Sequence, residues 1–295
     1  MDPRLDERHL AFQLHRKRLF GVAYRMLGSR ADAEDMLQEA YLRWCDVNAD
    51  EVRNVEAWLV ATVTRLSIDR LRRLRTEREA YVGPWLPEPL VSESSRADHA
   101  AELASDLSVA FLFLLERLAP EERAAFLLHD VFDSDYGSIA QVLGKTEPAC
   151  RQIVSRARKR VRSPRAAVPE LANRHAELLT QLAQAIRTDD QEALLRLFAE
   201  ESVWTSDGGG KAFAARKAVV GVARIARFVS GAFRQWRHQL SFRTLMVNGE
   251  EGLALLHDGK LSSILTIHTD GAHILGVYSL LNPEKLRRLS VENQK

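Results

Sequence analysis

Residues 136–161 read YGSIAQVLGKTEPACRQIVSRARKRV. A short helical segment, Ser138–Leu143, runs into Gly144, and a second helical pattern starts at Glu147. Thr146 is placed to cap that second helix, with Glu147 and Pro148 in its first turn. Ile139, Val142, Leu143, Cys150, Ile153, Val154 and Ala157 recur at helical spacing and form a buried face. Arg151, Gln152, Ser155, Arg156 and Lys159 fall on the opposite side. A short helix, a glycine turn and a basic second helix predict a helix-turn-helix, whose second helix enters the DNA major groove. An ordinary helical hairpin with a charged outer face has the same local pattern, so the flanking sequence has to decide.

Just upstream, SVAFLFLLERL is strongly apolar, and PEERAAFLLHDVF opens with Pro120 and two acids, as a helix start does. Further upstream lies a second helical unit. His9–Leu27 reads as a helix with Leu10, Leu14, Leu19, Phe20, Ala23 and Leu27 on one face, ended by Gly28. After Ser29, the run ADAEDMLQEAYLRW places Ala33, Met36, Leu37, Ala40, Tyr41 and Trp44 on the apolar side. Asp32, Asp35, Gln38 and Glu39 lie on the other. Asn54 is a cap candidate for a long helix from about Val55. That helix begins with Trp58, Leu59 and Val63 and becomes arginine-rich.

Residues 79–104 join the two units. Prolines and a glycine argue against a helix there. Tyr81, Trp85, Leu86 and Leu90 are too apolar for a free tether, so part of the segment is expected to dock. Beyond Pro164 and Pro169 the character changes. Helices are expected at 170–187, 190–199 and 219–236. LSFRTLMV, GLALLHD, LSSILTIHTD and HILGVYSLL then alternate apolar and polar residues, separated by Asn248-Gly249, Asp258-Gly259 and Asp270-Gly271. This predicts an antiparallel meander behind helices, an α+β cone or half-barrel.

Charge and composition limit the function classes. The 295 residues fit two or three domains, and the 46% apolar and 28% charged residues are those of a soluble globular protein. No apolar run approaches the ~20 residues of a membrane span. The charged start MDPRLDERHL has no signal-peptide core, which points to the cytoplasm. Cys45 and Cys150 offer neither a disulfide framework nor zinc spacing, so no metal or other cofactor is expected. Net charge is only +2, but Lys145–Arg165 carries eight basic residues against one acid. Arg65–Arg78 carries six arginines against two acids, while Glu79–Asp106 carries six acids against one arginine. Two basic blocks around an acidic connector predict two anion-binding surfaces.

YRMLGSRADAEDMLQEAYLRW followed by NVEAWLVATVTRLSIDRLR resembles region 2 of bacterial sigma-70-type factors. LERLAPEERAAFLLHDVF with the helix-turn-helix resembles region 4. Having only these two regions is the mark of the extracytoplasmic-function class. WLPEP in the connector, DGGGK (Asp207–Lys211) and NPEKL (Asn282–Leu286) resemble motifs of a subgroup with a fused C-terminal SnoaL-like domain. Leu66 stands where asparagine often follows the arginine at position 65, and NPEKL replaces NPDKL.

The resemblance implies a multidomain chain. Residues 1–78 are region 2, 79–104 the linker, 105–167 region 4 and 168–295 a SnoaL-like, nuclear-transport-factor-like cone. It implies an alternative sigma factor, not an enzyme, with core RNA polymerase (the β′ clamp helices and the β flap) and promoter DNA as partners. Asp32, Glu34, Asp35, Gln38 and Glu39 would face the polymerase. Arg65, Arg70, Arg72 and Arg73 can neutralise phosphates near the −10 element. Arg151, Gln152, Ser155 and Arg156 would read bases at the −35 element, with Lys159, Arg160 and Arg162 on phosphate. The cone would modulate activity in cis through Trp85, Pro87, Asp207, Gly208, Gly209, Gly210, Lys211, Asn282 and Pro283. The alternative is a bifunctional factor whose cone binds or converts a small molecule, with Asp207, His238, His257, His268 and His273 as acid–base candidates.

Overall fold

The structure, a computed structural model, describes residues 3–48, 51–92, 107–161, 169–287 and 289. It divides into two compact units, Met1–Glu79 with Leu112–Arg162, and Ala80–Phe111 with Ser163–Lys295.

The first unit is helical. α1 (Pro3–Leu27), α2 (Arg30–Asp46) and α3 (Val55–Glu79) pack on one another. Gly28 ends α1 at φ 67°, a left-handed conformation that costs glycine nothing. Ser29 Oγ then accepts the Asp32 N–H at 3.3 Å, and Asn54 Oδ1 accepts the Ala57 N–H at 3.0 Å, so both following helices start on side-chain caps. The expected apolar face of α1 is corrected at its first turns, because Leu10 and Leu14 are 68% and 78% exposed. Phe12, on the opposite side, packs edge-on against Tyr41 of α2, and Arg8 bonds the end of α2 through the Trp44 carbonyl. The buried face therefore runs through Phe12, Leu19, Val22, Ala23 and Met26.

α4 (Val109–Leu115) lies across the division between the units. α5 (Pro120–Phe126) continues through a wider π turn, Leu127–Val131. α6 (Tyr136–Leu143) starts at the Asp135 cap and ends on Gly144 at φ 63°, and α7 (Glu147–Arg160) starts at Thr146. Cys150, Ile153, Val154 and Ala157 are buried under α7. α5 packs on α3, so the two helical modules form one body.

In the second unit α8 (Pro169–Thr188), α9 (Gln191–Leu197) and α10 (Val222–Phe233) share an apolar core with a seven-stranded sheet. Leu179, Leu182, Trp204, Ile225, Leu265 and Val277 belong to that core. The strands are β1 (Val91–Ser92), β2 (Phe198–Asp207), β3 (Val219–Val220), β4 (Leu240–Val247), β5 (Glu250–His257), β6 (Lys260–Thr269) and β7 (Ile274–Leu280). Their order is β1-β4-β5-β6-β7-β2-β3. β4 to β7 form the antiparallel meander, turning at Asn248-Gly249 and Asp258-Gly259 with positive φ at all four residues, as tight hairpins require. β2 pairs with β7 in parallel, so the sheet is mixed rather than a meander alone. A four-residue helix, α11 (Pro283–Leu286), follows β7.

The structure differs from the expected domain boundaries at the connector. Its described part is not a separate linker, because β1 pairs with β4 through Val91↔Val247 and Ser92↔Met246. By their packing, Leu107 to Phe111 also group with the sheet unit. The expected helices at 190–199 and 219–236 are shorter, since Phe198 already begins β2 and Val219–Val220 form β3.

Candidate functional site

In the helix-turn-helix, α7 exposes Gln152, Ser155, Arg156 and Lys159 on the face opposite its buried residues. Arg151 is exposed too, but it pairs with Glu147 at 2.9 Å and its guanidinium lies 5.1 Å from the Tyr136 ring centre. Arg158 and Arg160 hold α7 to the rest of the module through Asp130 and Glu122, so Arg160 is engaged internally rather than left for phosphate as expected, and Arg162 lies outside the described residues. The outward side chains are thus supported by a helix fixed along its other side.

The arginines of α3 are placed differently from a free phosphate-binding row. Arg65 donates to the carbonyls of Val142 at 3.0 Å and Gln141 at 2.7 Å, the last turn of α6, whose carbonyls lack helical partners. Arg70 pairs with Asp32 at 2.8 Å and with Glu77. Arg72 pairs with Asp69 and with Glu121 of α5, both at 2.9 Å. Among the four, Arg73 is exposed and has no carboxylate within pairing distance among the described residues. Arg78 and Arg123 meet at Glu116 and donate to the carbonyls that end α1, Leu27 and Met26.

α2 shows the same division. Asp32 is taken by Arg70, Glu34 by Arg16 at 2.5 Å and Glu39 by Arg43 at 2.9 Å. Asp35 and Gln38 are exposed and unengaged among the described residues.

The second unit contains a buried polar centre. Asp207, at the end of β2, is 0% exposed. Its carboxylate accepts the Tyr81 hydroxyl at 2.5 Å, the Leu86 N–H at 2.9 Å and the Lys285 ammonium at 2.7 Å. Its carbonyl accepts the N–H groups of Leu281 and Asn282. Lys285 also donates to the Leu86 carbonyl, with its Nζ 4.1 Å from the Trp85 ring centre and 5.4 Å from that of Tyr81. Asn282 Nδ2 donates to the Tyr81 oxygen at 2.8 Å, while its Oδ1 caps α11. Burial, followed by the Asp207 carboxylate, drives the Tyr81 phenol pKa far up and keeps it a neutral donor.

The three glycines after Asp207 are needed for this geometry. Gly209 has φ 57°, and a Cβ there would collide with Asn282 Nδ2 and lie 2.9 Å from the Tyr81 oxygen. Gly210 has φ 71° with Val82 3.0 Å from its Cβ position, and a Cβ on Gly208 would meet the Ala212 carbonyl at 2.7 Å. Lys211 pairs with Glu284 of α11. Pro87 is buried, and Pro283 opens α11. A second tie holds the connector farther along, where Asn248 Oδ1 accepts the Leu90 N–H at 2.5 Å and Nδ2 donates to the Leu107 carbonyl at 2.7 Å.

Two family models match, sigma-70 region 2 over residues 11–77 and sigma-70 region 4 over residues 108–161. The ECF RNA polymerase sigma factor SigJ of Mycobacterium tuberculosis is 39% identical over 288 residues, covering 93% of this chain and 91% of that protein. The chain belongs to the extracytoplasmic-function sigma factors. A probable ECF RNA polymerase sigma factor, SigI of the same species, is 28% identical and covers 96% of each chain. The crystal structure of M. tuberculosis SigJ superposes with a TM-score of 0.79 at 34% identity, covering 95% of this sigma factor and 99% of that chain. The helical regions and the C-terminal helix-and-sheet unit thus form the architecture of a sigma factor with an added domain.

The acid–base candidates of the cone share no hydrogen bond with one another among the described residues. Asp207 is consumed by the connector, and His257 bonds the Gln239 side chain at 2.9 Å. His238 and His273 are exposed, while His268 sits half-buried on β6. No three His, Cys, Asp or Glu among the described residues could hold a metal ion. Sequence reasoning missed Asn248 as a holding residue and gave Lys285 no role beyond its place in the candidate interface stretch Asn282–Leu286. Lys285 lay inside the NPEKL motif, whereas Asn248 was visible only as a turn residue.

Proposed function

We propose that this sigma factor docks on core RNA polymerase through the α2 face around Asp35 and Gln38 and reads promoter DNA through α7. Gln152, Ser155 and Arg156 supply base-edge contacts and Lys159 a phosphate contact. Arg73 is ready for phosphate. Arg65 and Arg72 bind phosphate only after releasing α6 and Glu121, so the compact helical unit must loosen before the −10 element is engaged. Glu34, Asp32 and Glu39 likewise exchange internal arginines for polymerase groups. No helix among the described residues is long and apolar enough to cross a membrane. Asp35→Arg tests the docking: core polymerase binding should be lost while the thermal melt is unchanged, and normal binding would refute the assignment.

The same reading gives the C-terminal unit a regulatory role in cis. The observation that carries it is the Asp207–Lys285 centre, which fastens Tyr81, Trp85 and Leu86 of the connector to the cone. The connector joins the two DNA-binding modules, so a domain that holds it restricts the separation they can reach. A tethered partner acts at an effective concentration of about millimolar, enough to populate a weak contact. The burial of Leu86 adds about 1.5–3 kcal/mol to the docking. Comparing run-off transcription by the full chain with a chain ending at Val168 gives the sign of the control, and equal yields would contradict it.

A further inference from the structure

Between Lys211 and Arg243 the chain carries eight lysines and arginines and no acid, although the whole protein has 42 basic and 40 acidic residues. α10 occupies the middle of this stretch. Its inner face buries Ile225, Ala226, Val229 and Ser230. Its outer face exposes Ala223, Arg224, Arg227 and Gly231, and Arg234 continues the same row just past its end.

These arginines are not consumed by the cone. Arg237 pairs with Asp189 at 2.6 Å and Lys211 with Glu284. Arg224 and Arg227 have no carboxylate in pairing range among the described residues, and Arg234 adds to the field on Asp189 without an ion pair. Glu200 and Glu201, exposed on β2, pair with none of these arginines. At 1.5 Å per residue, Arg224 to Arg234 spans about 15 Å, or roughly four nucleotide steps of one DNA strand.

We infer that the outer face of α10 is a third DNA contact of this protein, one that holds duplex backbone without reading sequence. Arginine forks match phosphate oxygens two at a time, and Gly231, with open space above it, leaves room for a close approach. α10 itself carries none of the exposed large hydrophobic residues, which stand just beyond its two ends at Val220 and Trp236, so the arginine row offers phosphate its charge without the apolar anchors of a protein interface between them. The base-reading module is joined covalently to this face, so DNA held by one is presented to the other at high local concentration.

The test uses the full chain and a short duplex of arbitrary sequence, followed by fluorescence anisotropy over a range of KCl concentrations. The triple variant Arg224→Gln/Arg227→Gln/Arg234→Gln should bind at least tenfold more weakly at low salt. Its slope of log K against log salt should be shallower by about 2 to 3, near 0.9 for each phosphate no longer neutralised. Arg187→Gln/Arg196→Gln/Lys260→Gln, an equal charge change elsewhere on the cone, should leave the slope unchanged. Matching thermal melts establish that both variants are folded. Unaltered binding by the first triple, or equal losses from both, would overturn the inference. So would a first triple that keeps DNA binding and loses core polymerase or anionic phosphatidylglycerol vesicles, which would reassign the face.

Discussion

Lys285 and Asp207 form a 2.7 Å ion pair with 7% and 0% of each residue exposed, and the side chains of both also bond the connector. Two charges withdrawn from water are tolerated only when their other hydrogen-bonding capacity is met. Here Tyr81, the Leu86 N–H and the Leu86 carbonyl meet it. The cone's polar centre is therefore complete only with the connector in place.

Removing one partner should be costly. Lys285→Met leaves a buried carboxylate without its cation and should destabilise the second unit by about 3–5 kcal/mol. Urea denaturation of the full chain measures this. Lys285→Met combined with Asp207→Asn should recover part of the loss, and a single-variant loss below about 1 kcal/mol would contradict the arrangement.

Two glycines separate backbone strain from collision. Gly144 and Gly209 both sit at φ near 60°, but a Cβ on Gly144 meets nothing within 4 Å. Gly144→Ala should cost only the left-handed penalty of about 1–2 kcal/mol. Gly209→Ala adds the collision with Asn282 and Tyr81 and should cost more. Equal losses in thermal melts would contradict the close approach.

His268 supplies a pH dependence. Burial, aided by His175 and opposed by Asp270, holds its imidazole below the ordinary range. The unfolded chain binds that proton more readily than the folded one. The contribution to stability is therefore full above the unfolded pKa of about 6.5 and declines as the pH falls through it toward the lower folded pKa. His268→Gln should flatten the stability profile between about pH 7 and pH 5. Parallel profiles for the two proteins would refute this assignment.

Arg156 projects from α7 without an internal partner among the described residues. Arg156→Ala should cost about 1–3 kcal/mol at the preferred promoter and relax selection at one base position. An unchanged selected sequence from a randomised promoter pool would remove Arg156 from the reading face.

Features set by chemistry a few residues apart were legible in the sequence. The Asn54 and Thr146 caps, the Gly28 and Gly144 stops and the buried face of α7 all depend on neighbours within one or two turns. Leu10 and Leu14 misled because helical periodicity gives apolar stripes without saying which stripe meets a partner, and Phe12 won that contact. The β2–β7 pairing joins residues about seventy positions apart, and β1 has two residues, too few for any periodicity. Asp207 stood in the sequence as the first residue of the DGGGK motif, an interface position and an acid–base candidate. Its burial depends on Lys285 and on Tyr81, 126 positions earlier, and no local pattern carries that. The motifs could be quoted, but their mutual contact required the fold. The same holds for Arg65, whose basic surroundings suggested phosphate and whose partners are carbonyls of α6.

The central claim is that fastening the connector to the cone controls initiation. Run-off transcription with core polymerase on a promoter library tests it most directly, using the full chain and variants that loosen the two ties, Tyr81→Phe and Asn248→Ala. With folding verified by melting curves, both variants should change the yield of specific transcripts in the same direction as removal of the cone. Specific transcripts in equal yield from all of these proteins would contradict the account.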